Sequence, residues 1–144
     1  MKIRHFLTAA LVVSGFAAGL ASNHRTADSA GFAGKCYIAP FGESYSRAAA
    51  VFTGEVVSED KTGDTRRFVL RVDKYWKGKI SKEIEIFVNE NARYQAWFKK
   101  GGTYLIFASA DDAGKLRVGR CSRSKDVEFA SEDLKKLGKG KTPR

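Results

Sequence analysis

Histidine is almost absent from this sequence of 144 residues, which contains only His5 and His24. Both histidines precede the region of regular hydrophobic patterning. A serine or cysteine nucleophile needs a neighbouring general base, most often histidine, so the usual nucleophile–base pairs cannot be assembled here. The sequence also lacks metal-ligand spacing and a glycine-rich phosphate loop. We therefore expect that the protein is not an enzyme and that it carries no cofactor.

Paired carboxylates are present, but not in the arrangement that acid–base catalysis needs. Each pair has an ordinary structural explanation, namely the solvent face of a strand, a turn, and the first turn of a helix. Nothing predicts the converging carboxyl groups of a glycosidase. The pairs are Glu83/Glu85, Asp111/Asp112 and Glu132/Asp133.

Cysteine is equally scarce, with only Cys36 and Cys121 in the chain. In an exported protein, two cysteines most simply form one disulfide bond. A reactive thiol pair is the alternative. The wide spacing and the lack of a Cys-x-x-Cys motif argue against that alternative.

A long apolar run occurs only at the start of the chain. Lys2 and Arg4 precede apolar and small residues that end at Ala21, and Gly19 and Ala21 offer the small side chains of a cleavage site. This pattern is typical of a secretory signal peptide over 1–21. A membrane anchor needs about 20 strongly apolar residues, and this run is shorter and rich in alanine and glycine. We expect export to the periplasm or the extracellular medium, without stable membrane insertion after cleavage.

Acidic residues are too few to balance the basic ones. The chain has 26 Lys and Arg against 16 Asp and Glu, which gives a formal net charge of +10. Such a balance favours contact with acidic polymers, anionic lipids or acidic protein faces. Part of the excess lies at Lys135 and Lys136 and in a basic tail over 138–144, which we interpret as solvated.

The hydrophobic pattern predicts one domain over 36–137, after a polar lead-in over 22–35 that we expect to be flexible. Short helices are predicted from Ser131 and within 43–50. Gly54 and Gly119, inside predicted strands, indicate bulges or sharp bends. The fold class predicted is mainly β, a five-stranded OB-fold-like closed barrel with one or two short helices. The predicted strands are 49–57, 68–73, 83–88, 103–108 and 116–121.

Aromatic and basic residues alternate near several predicted strand ends. On an open barrel, this mixture would stack bases or sugars while neutralising phosphates or sulfates, so an anionic polymer is one candidate partner. The alternative, which we favour, is that most of these rings pack into the barrel rim. The candidate polymer-binding residues are Lys74, Trp76, Lys77, Arg93, Trp97 and Lys99.

Several segments occur in a recognisable order. Cys36 is followed by Ala-Ala-Val-Phe-Thr-Gly-Glu-Val at 49–56, by Val-Asp-Lys-Tyr-Trp-Lys-Gly at 72–78, by Gly-Gly-Thr-Tyr-Leu-Ile at 101–106, and by Arg-Cys ending at Cys121. Together they resemble the netrin-like domain, whose best-known members are the tissue inhibitors of metalloproteinases. The resemblance spans roughly 36–137. It implies an OB-type barrel in which a cysteine near the start is bridged to Cys121.

The resemblance also implies a function, that of a binding module and most concretely an inhibitor of a zinc metalloprotease. In the inhibitors, an N-terminal cysteine chelates the protease zinc through its free amine and carbonyl, and Cys36 matches that cysteine. The inhibitors begin Cys-x-Cys, whereas this chain has a single cysteine there. Cleavage after Ala21 would leave Cys36 internal, so this geometry requires a second cleavage. The alternatives are binding of an anionic polymer (polysaccharide, nucleic acid or cell-surface polymer) and a structural role in the cell envelope.

Cleavage after Ala21 would also place Ser22, Asn23 and His24 at a new N-terminus. The terminal amine, two amide nitrogens and the His24 imidazole would then offer four nitrogens in one plane. Cu(II) and Ni(II) favour such tetragonal sites. The alternative, which we favour, is a histidine without a role in a variable tail.

Overall fold

The computed structural model of the protein describes residues 36–91 and 96–144. The predicted signal peptide, the lead-in with Ser22, Asn23 and His24, and Arg93 lie outside the described residues. The described residues belong to one compact unit, Gly34–Arg144. None of the helices in this described part is long and apolar enough to cross a membrane.

The first two strands form a long antiparallel hairpin. Strand β1 spans Ala50–Thr62 and strand β2 spans Thr65–Lys77, with Gly63 in the turn at a φ of 56°. Both strands extend beyond their predicted limits because charged side chains pair across the outer part of the hairpin. Arg67, for example, forms an ion pair with Asp60. Hydrophobic alternation ends before this charged part of the hairpin, so the sequence pattern did not reveal it.

Three further strands complete a ring. Strand β3 spans Glu83–Asn89, β4 spans Thr103–Ala110 and β5 spans Leu116–Arg117. The strands are paired around the ring in the order β1–β2–β3–β5–β4–β1. Only the β3–β5 pairing in this ring is parallel, and it consists of Phe87 opposite Arg117. The protein is thus mainly β, with a ring of five strands.

The fifth strand is much shorter than the predicted 116–121. The Val118 amide still donates to the Phe87 carbonyl, but the chain then turns, with Ser122 N–H donating to the Gly119 carbonyl. A further short strand, β6 at Lys125–Asp126, pairs with β4. The apolar pattern of 116–121 therefore marks a brief strand followed by a turn that leads to Cys121.

A bulge lies in β1 at Gly54, as the sequence predicts. The register between β1 and β2 shifts between Thr53 and Gly54. A Cβ atom on Gly54 would lie 2.9 Å from the Arg71 carbonyl oxygen, so only glycine allows this close approach of the two strands. Gly119 lies beyond the end of β5 and is therefore not a bulge within a strand.

Apolar side chains on the two faces of β1 and β4 enter different clusters. Phe52 and Ile106 belong to the main core with side chains of β2 and β3. Val51, Leu105 and Phe107 belong to a second cluster, which also receives side chains from two short helices. Burial on both faces explains why the 103–108 segment is continuously apolar rather than alternating.

The two helices are α1 at Phe41–Arg47 and α2 at Ser131–Leu137, and their apolar side chains belong to the same cluster. Helix α1 ends before the predicted 43–50 segment does, because Ala48 is already extended at a ψ of 136° and leads into β1. Helix α2 begins at the predicted Ser131 and follows a single 3₁₀ turn, Val127–Phe129. Their apolar side chains cover the outer face of β1 and β4.

The backbone of the basic tail, 138–144, lies against β2. Lys141 and Tyr75 exchange backbone hydrogen bonds, both of 2.8 Å. Gly140 lies under the indole of Trp76, and Pro143 is buried. The side chains of Lys139 and Lys141 are exposed. The interpretation as a solvated tail therefore applies to the lysine side chains and not to the backbone.

Candidate functional site

The Cys36–Cys121 disulfide predicted from the sequence is present. It joins the first described residue to the turn after β5, with a Cα–Cα distance of 5.1 Å. The bridge spans 85 positions of the sequence. Closing a loop of this size lowers the entropy of the unfolded chain and is worth on the order of 4 kcal/mol.

The residues that follow the bridge form an exposed arm, Cys36–Pro40. Tyr37 is 74% exposed and Ile38 is 53% exposed. Among the described residues only Phe129, at 77%, joins them as an exposed large hydrophobic side chain. The arm thus presents two adjacent apolar side chains to solvent, directly beside a covalent anchor.

A second anchor holds the other end of the arm. The Ala39 carbonyl accepts hydrogen bonds from Ser44 Oγ at 3.0 Å and from Arg123 Nη1 at 3.1 Å. Ser44 lies in α1, and its backbone amide also donates to the Pro40 carbonyl. Tyr37 and Ile38 therefore lie between a disulfide and a carbonyl with two donors, which restricts the backbone that carries them.

Arg123 is itself fixed by the buried carboxylate of Asp133 in α2. Its Nε and Nη2 atoms donate to the two Asp133 oxygens at 3.0 and 2.7 Å. Lys125 Nζ lies 2.9 Å from the same carboxylate, which is 1% exposed. Burial alone would raise the pKa of Asp133, but hydrogen bonds from Arg123 and Lys125 outweigh burial and lower it. The carboxylate is therefore ionised at neutral pH and holds Arg123 against the arm.

Two adjoining grooves lie beside the arm, and we call them together the arginine groove. The first has a volume of about 340 Å³ and the second of about 450 Å³, and they share Ser109, Arg117 and Gly119. Arg47 and Arg123 line the first, and Arg120 lines the second. The ionisable side chains among the described lining residues are these arginines and Tyr37, with no Asp, Glu or Lys.

Arg117 lies where the two grooves meet, and its guanidinium is held in place. Its Nε atom donates to Asp111 at 2.8 Å and its Nη1 atom to Asn89 at 3.1 Å. The guanidinium carbon lies 5.9 Å from the centre of the Phe87 ring. The hydrogen bond from Arg117 also lowers the pKa of the Asp111 carboxyl.

Another buried carboxylate, Glu90 at the end of β3, has a structural role. It accepts hydrogen bonds from Arg66 at 2.9 Å and from the Ala96 amide at 2.7 Å. The hydrogen bond from Arg66 is the main cause that lowers the pKa of Glu90 to about 2. A carboxylate this acidic stays ionised and is unsuited to proton transfer near neutral pH.

One carboxylate of each pair noted in the sequence also contacts a cation. Glu85 pairs with Arg67 at 2.8 Å, Asp111 with Arg117, and Asp133 with Arg123. Within 36–91 and 96–144, no group of three or more His, Cys, Asp and Glu side chains could hold a metal ion.

The two tryptophans of the predicted polymer-binding face pack against different clusters. Trp76 packs against the second cluster, and its Nε1 atom donates to the Gly138 carbonyl at 3.1 Å. Trp97 packs against the main core, with its ring centre 4.9 Å from that of Phe98. Both rings therefore contribute to packing.

The basic residues of that predicted face also differ from one another. Lys77 Nζ donates to the Tyr45 and Ser46 carbonyls in the last turn of α1, at 2.8 and 2.9 Å. Lys74 and Lys99 are exposed, and Arg93 lies outside the described part of the chain. Lys77 thus caps a helix, whereas Lys74 and Lys99 remain accessible.

Sequence reasoning predicted the disulfide but missed the exposed arm and its second anchor, the Ala39 carbonyl. The signal available was the order Cys36, two large apolar residues, and Pro40 before a helix. Apolar residues beside a disulfide are ordinarily expected to be buried, so the pattern did not predict the exposure of Tyr37. The contact from Arg123 to the Ala39 carbonyl spans 84 positions and has no local pattern.

The fold and the site define a small β protein with one disulfide and an exposed arm that is anchored at both ends. No family model and no curated protein matches the sequence. The arm and the groove beside it are therefore the features from which a function is inferred.

Proposed function

We propose that the protein is an exported binding module of the netrin-like class, and that the arm is its contact element. The observation that carries the proposal is the pair of exposed side chains, Tyr37 and Ile38, on a backbone anchored at both ends. Contacts held in place before binding lose less entropy when a partner binds. Tyrosine and arginine are also enriched where protein interfaces derive most of their binding energy.

The strand order supports an OB-type barrel as the scaffold. Five mainly antiparallel strands follow one another around the ring, and the parallel β3–β5 pairing is the shortest contact in it. A five-stranded, partly open barrel is the architecture of OB-folds. This is the fold that the resemblance to netrin-like domains implies. The disulfide is typical of proteins that mature in an oxidising compartment outside the cytoplasm.

Inhibition of a zinc metalloprotease is the most concrete form of the proposal. A catalytic zinc ion keeps one coordination position open for water or substrate. A free α-amine beside its own carbonyl would chelate the zinc at that position. A chain that begins at Cys36 would present this amine next to Tyr37, with the disulfide to Cys121 holding both. The adjoining arm would then enter the substrate cleft.

The test compares a form that begins at Cys36 with a form that begins at Ser22, both oxidised, on a panel of zinc metalloendopeptidases. The first form should inhibit at far lower concentration, because only it has the free amine on Cys36. Replacing Tyr37 and Ile38 by serine in that form should weaken inhibition, whereas Phe129→Ser, at an equally exposed site, should not. Equal potency of the two N-terminal forms would contradict zinc chelation.

An anionic polymer is the second candidate partner, supported by the net charge of +10 and by exposed lysines such as Lys74 and Lys99. Binding to a charged polymer releases counterions and weakens steeply as salt increases. Insertion of the arm into a protein cleft depends much less on salt. The slope of affinity against salt concentration therefore separates the two candidates.

A further inference from the structure

The arginine groove has a charged lining, and the proposed role of the exposed arm does not account for it. Its positive side chains are Arg47, Arg117, Arg120 and Arg123, and no carboxylate is among the described residues that line it. The carboxylates that pair with three of them are Glu43, Asp111 and Asp133, which are not lining residues. The charged side chains among the described lining residues are therefore all guanidinium groups. Each guanidinium has five N–H donors, and those that its carboxylate partner leaves unused can donate to an anionic ligand.

Arg47, Arg117 and Arg123 each have a partner in the protein before any ligand arrives. Arg47 Nη2 lies 2.7 Å from Glu43, and Arg117 is held by Asp111 and Asn89. Arg123 is held by Asp133 and by the Ala39 carbonyl. Fixed, planar guanidinium groups match carboxylates better than flexible ammonium groups do.

The neutral residues of the groove suit a polypeptide backbone. Ser44, Ser109 and Ser122 provide hydroxyl groups, and Asn89 provides an amide. At Gly119, a Cβ atom would meet nothing within 4 Å, so the wall is open there. Hydroxyl and amide groups can donate to backbone carbonyls and accept from backbone amides.

We propose that the arginine groove binds an extended, acidic polypeptide segment of the same protein that the arm contacts. This inference rests on the proposed function and names the chemistry of the partner. Tyr37 belongs both to the arm and to the wall of the groove, so one partner would meet both. The acidic segment pairs with the guanidinium groups, and an apolar part of the partner covers Tyr37 and Ile38.

A peptide fits the groove better than a long polyanion does. Proteins that bind polyanions without sequence preference combine a long basic track with stacking aromatic rings. Here no lysine is among the described lining residues, and the exposed lysines Lys74 and Lys99 lie outside the groove. The positive lining is confined to two adjoining grooves of limited volume.

Fluorescence anisotropy with a labelled peptide of alternating glutamate and alanine tests the proposal on the full exported chain. The double variant Arg47→Gln/Arg120→Gln should weaken binding about tenfold, the loss expected for two solvent-exposed ion pairs. Arg71→Gln/Lys82→Gln removes the same charge from exposed positions outside the groove and should leave affinity nearly unchanged. A peptide of alternating glutamine and alanine should not bind.

Three results would overturn the groove proposal. They are absence of binding to the acidic peptide, equal loss in both double variants, and tighter groove-dependent binding of a sulfated oligosaccharide or an oligonucleotide than of the peptide. The arm is tested separately, because Tyr37→Ser/Ile38→Ser removes its apolar side chains and leaves the guanidinium groups in place. Inhibition by the form that begins at Cys36, without peptide binding, would retain the proposed function and reject the groove.

Discussion

At the scale of single residues, the site depends on the carboxylate of Asp133, which is buried and would not itself contact a binding partner. Asp133 fixes Arg123, and Arg123 holds the Ala39 carbonyl of the arm. Asp133 is 1% exposed and forms ion pairs with Arg123 and Lys125. Loss of its negative charge would leave both of these positive charges without that counter-charge. The position of an exposed arm thus depends on a buried residue of α2.

Asp133→Asn should therefore destabilise the protein by about 3 kcal/mol, as the removal of one partner of a buried ion pair does. Denaturant unfolding at neutral pH measures this change in the free energy of unfolding. Glu132→Gln, at an exposed neighbouring position of α2, is the control and should change stability by less than about 0.5 kcal/mol. A similar small effect of both variants would contradict the role assigned to Asp133.

The pH dependence of stability has a defined sign at this site. The pKa of Asp133 is lowered from its usual 3.8 in the folded protein, so protonation favours the unfolded state. Its contribution is present above pH 3.8 and is lost as pH falls through the lower folded value. Asp133→Asn should reduce this acid-dependent loss of stability, and an unchanged pH profile would indicate that other carboxylates dominate it.

At the scale of elements, the sequence predicted the strands and helices whose positions are set by the hydrophobic pattern. All five ring strands were found near their predicted places, and both helices were found. The outer half of the β1–β2 hairpin was missed because charged pairs such as Asp60–Arg67 hold it, and β5 was predicted too long. The second anchor of the arm was missed because it comes from Arg123, which is distant in sequence from Ala39.

The bulge in β1 gives a direct test of the hairpin. Gly54→Ala should cost about 1 to 3 kcal/mol, because the new Cβ atom would meet the Arg71 carbonyl at 2.9 Å and the strands would have to separate. Gly119→Ala is a matched control, since its Cβ atom would meet nothing within 4 Å. Thermal or denaturant unfolding of both variants provides the comparison. Equal stability of the two variants would show that the hairpin tolerates the shift.

At the scale of the whole molecule, one disulfide contributes both to the stability of the fold and to the position of the candidate site. The Cys36–Cys121 disulfide restricts the unfolded chain and also anchors the arm beside the arginine groove. Both anchors of the arm adjoin strands, since Cys121 follows β5 and Arg123 precedes β6. The central claim is that this end of the molecule contacts a protein partner.

Site-specific photo-crosslinking tests that claim most directly. Benzoylphenylalanine is placed at Tyr37 in one variant and at Phe129 in another, each variant is produced in cells from the complete sequence, and the cultures are irradiated. Both positions are exposed to a similar degree, so non-specific crosslinking to other proteins should be equal at the two positions. The account predicts a discrete adduct with one protein from position 37 and none from position 129. Equal adducts from both positions, or no protein adduct from position 37, would contradict it.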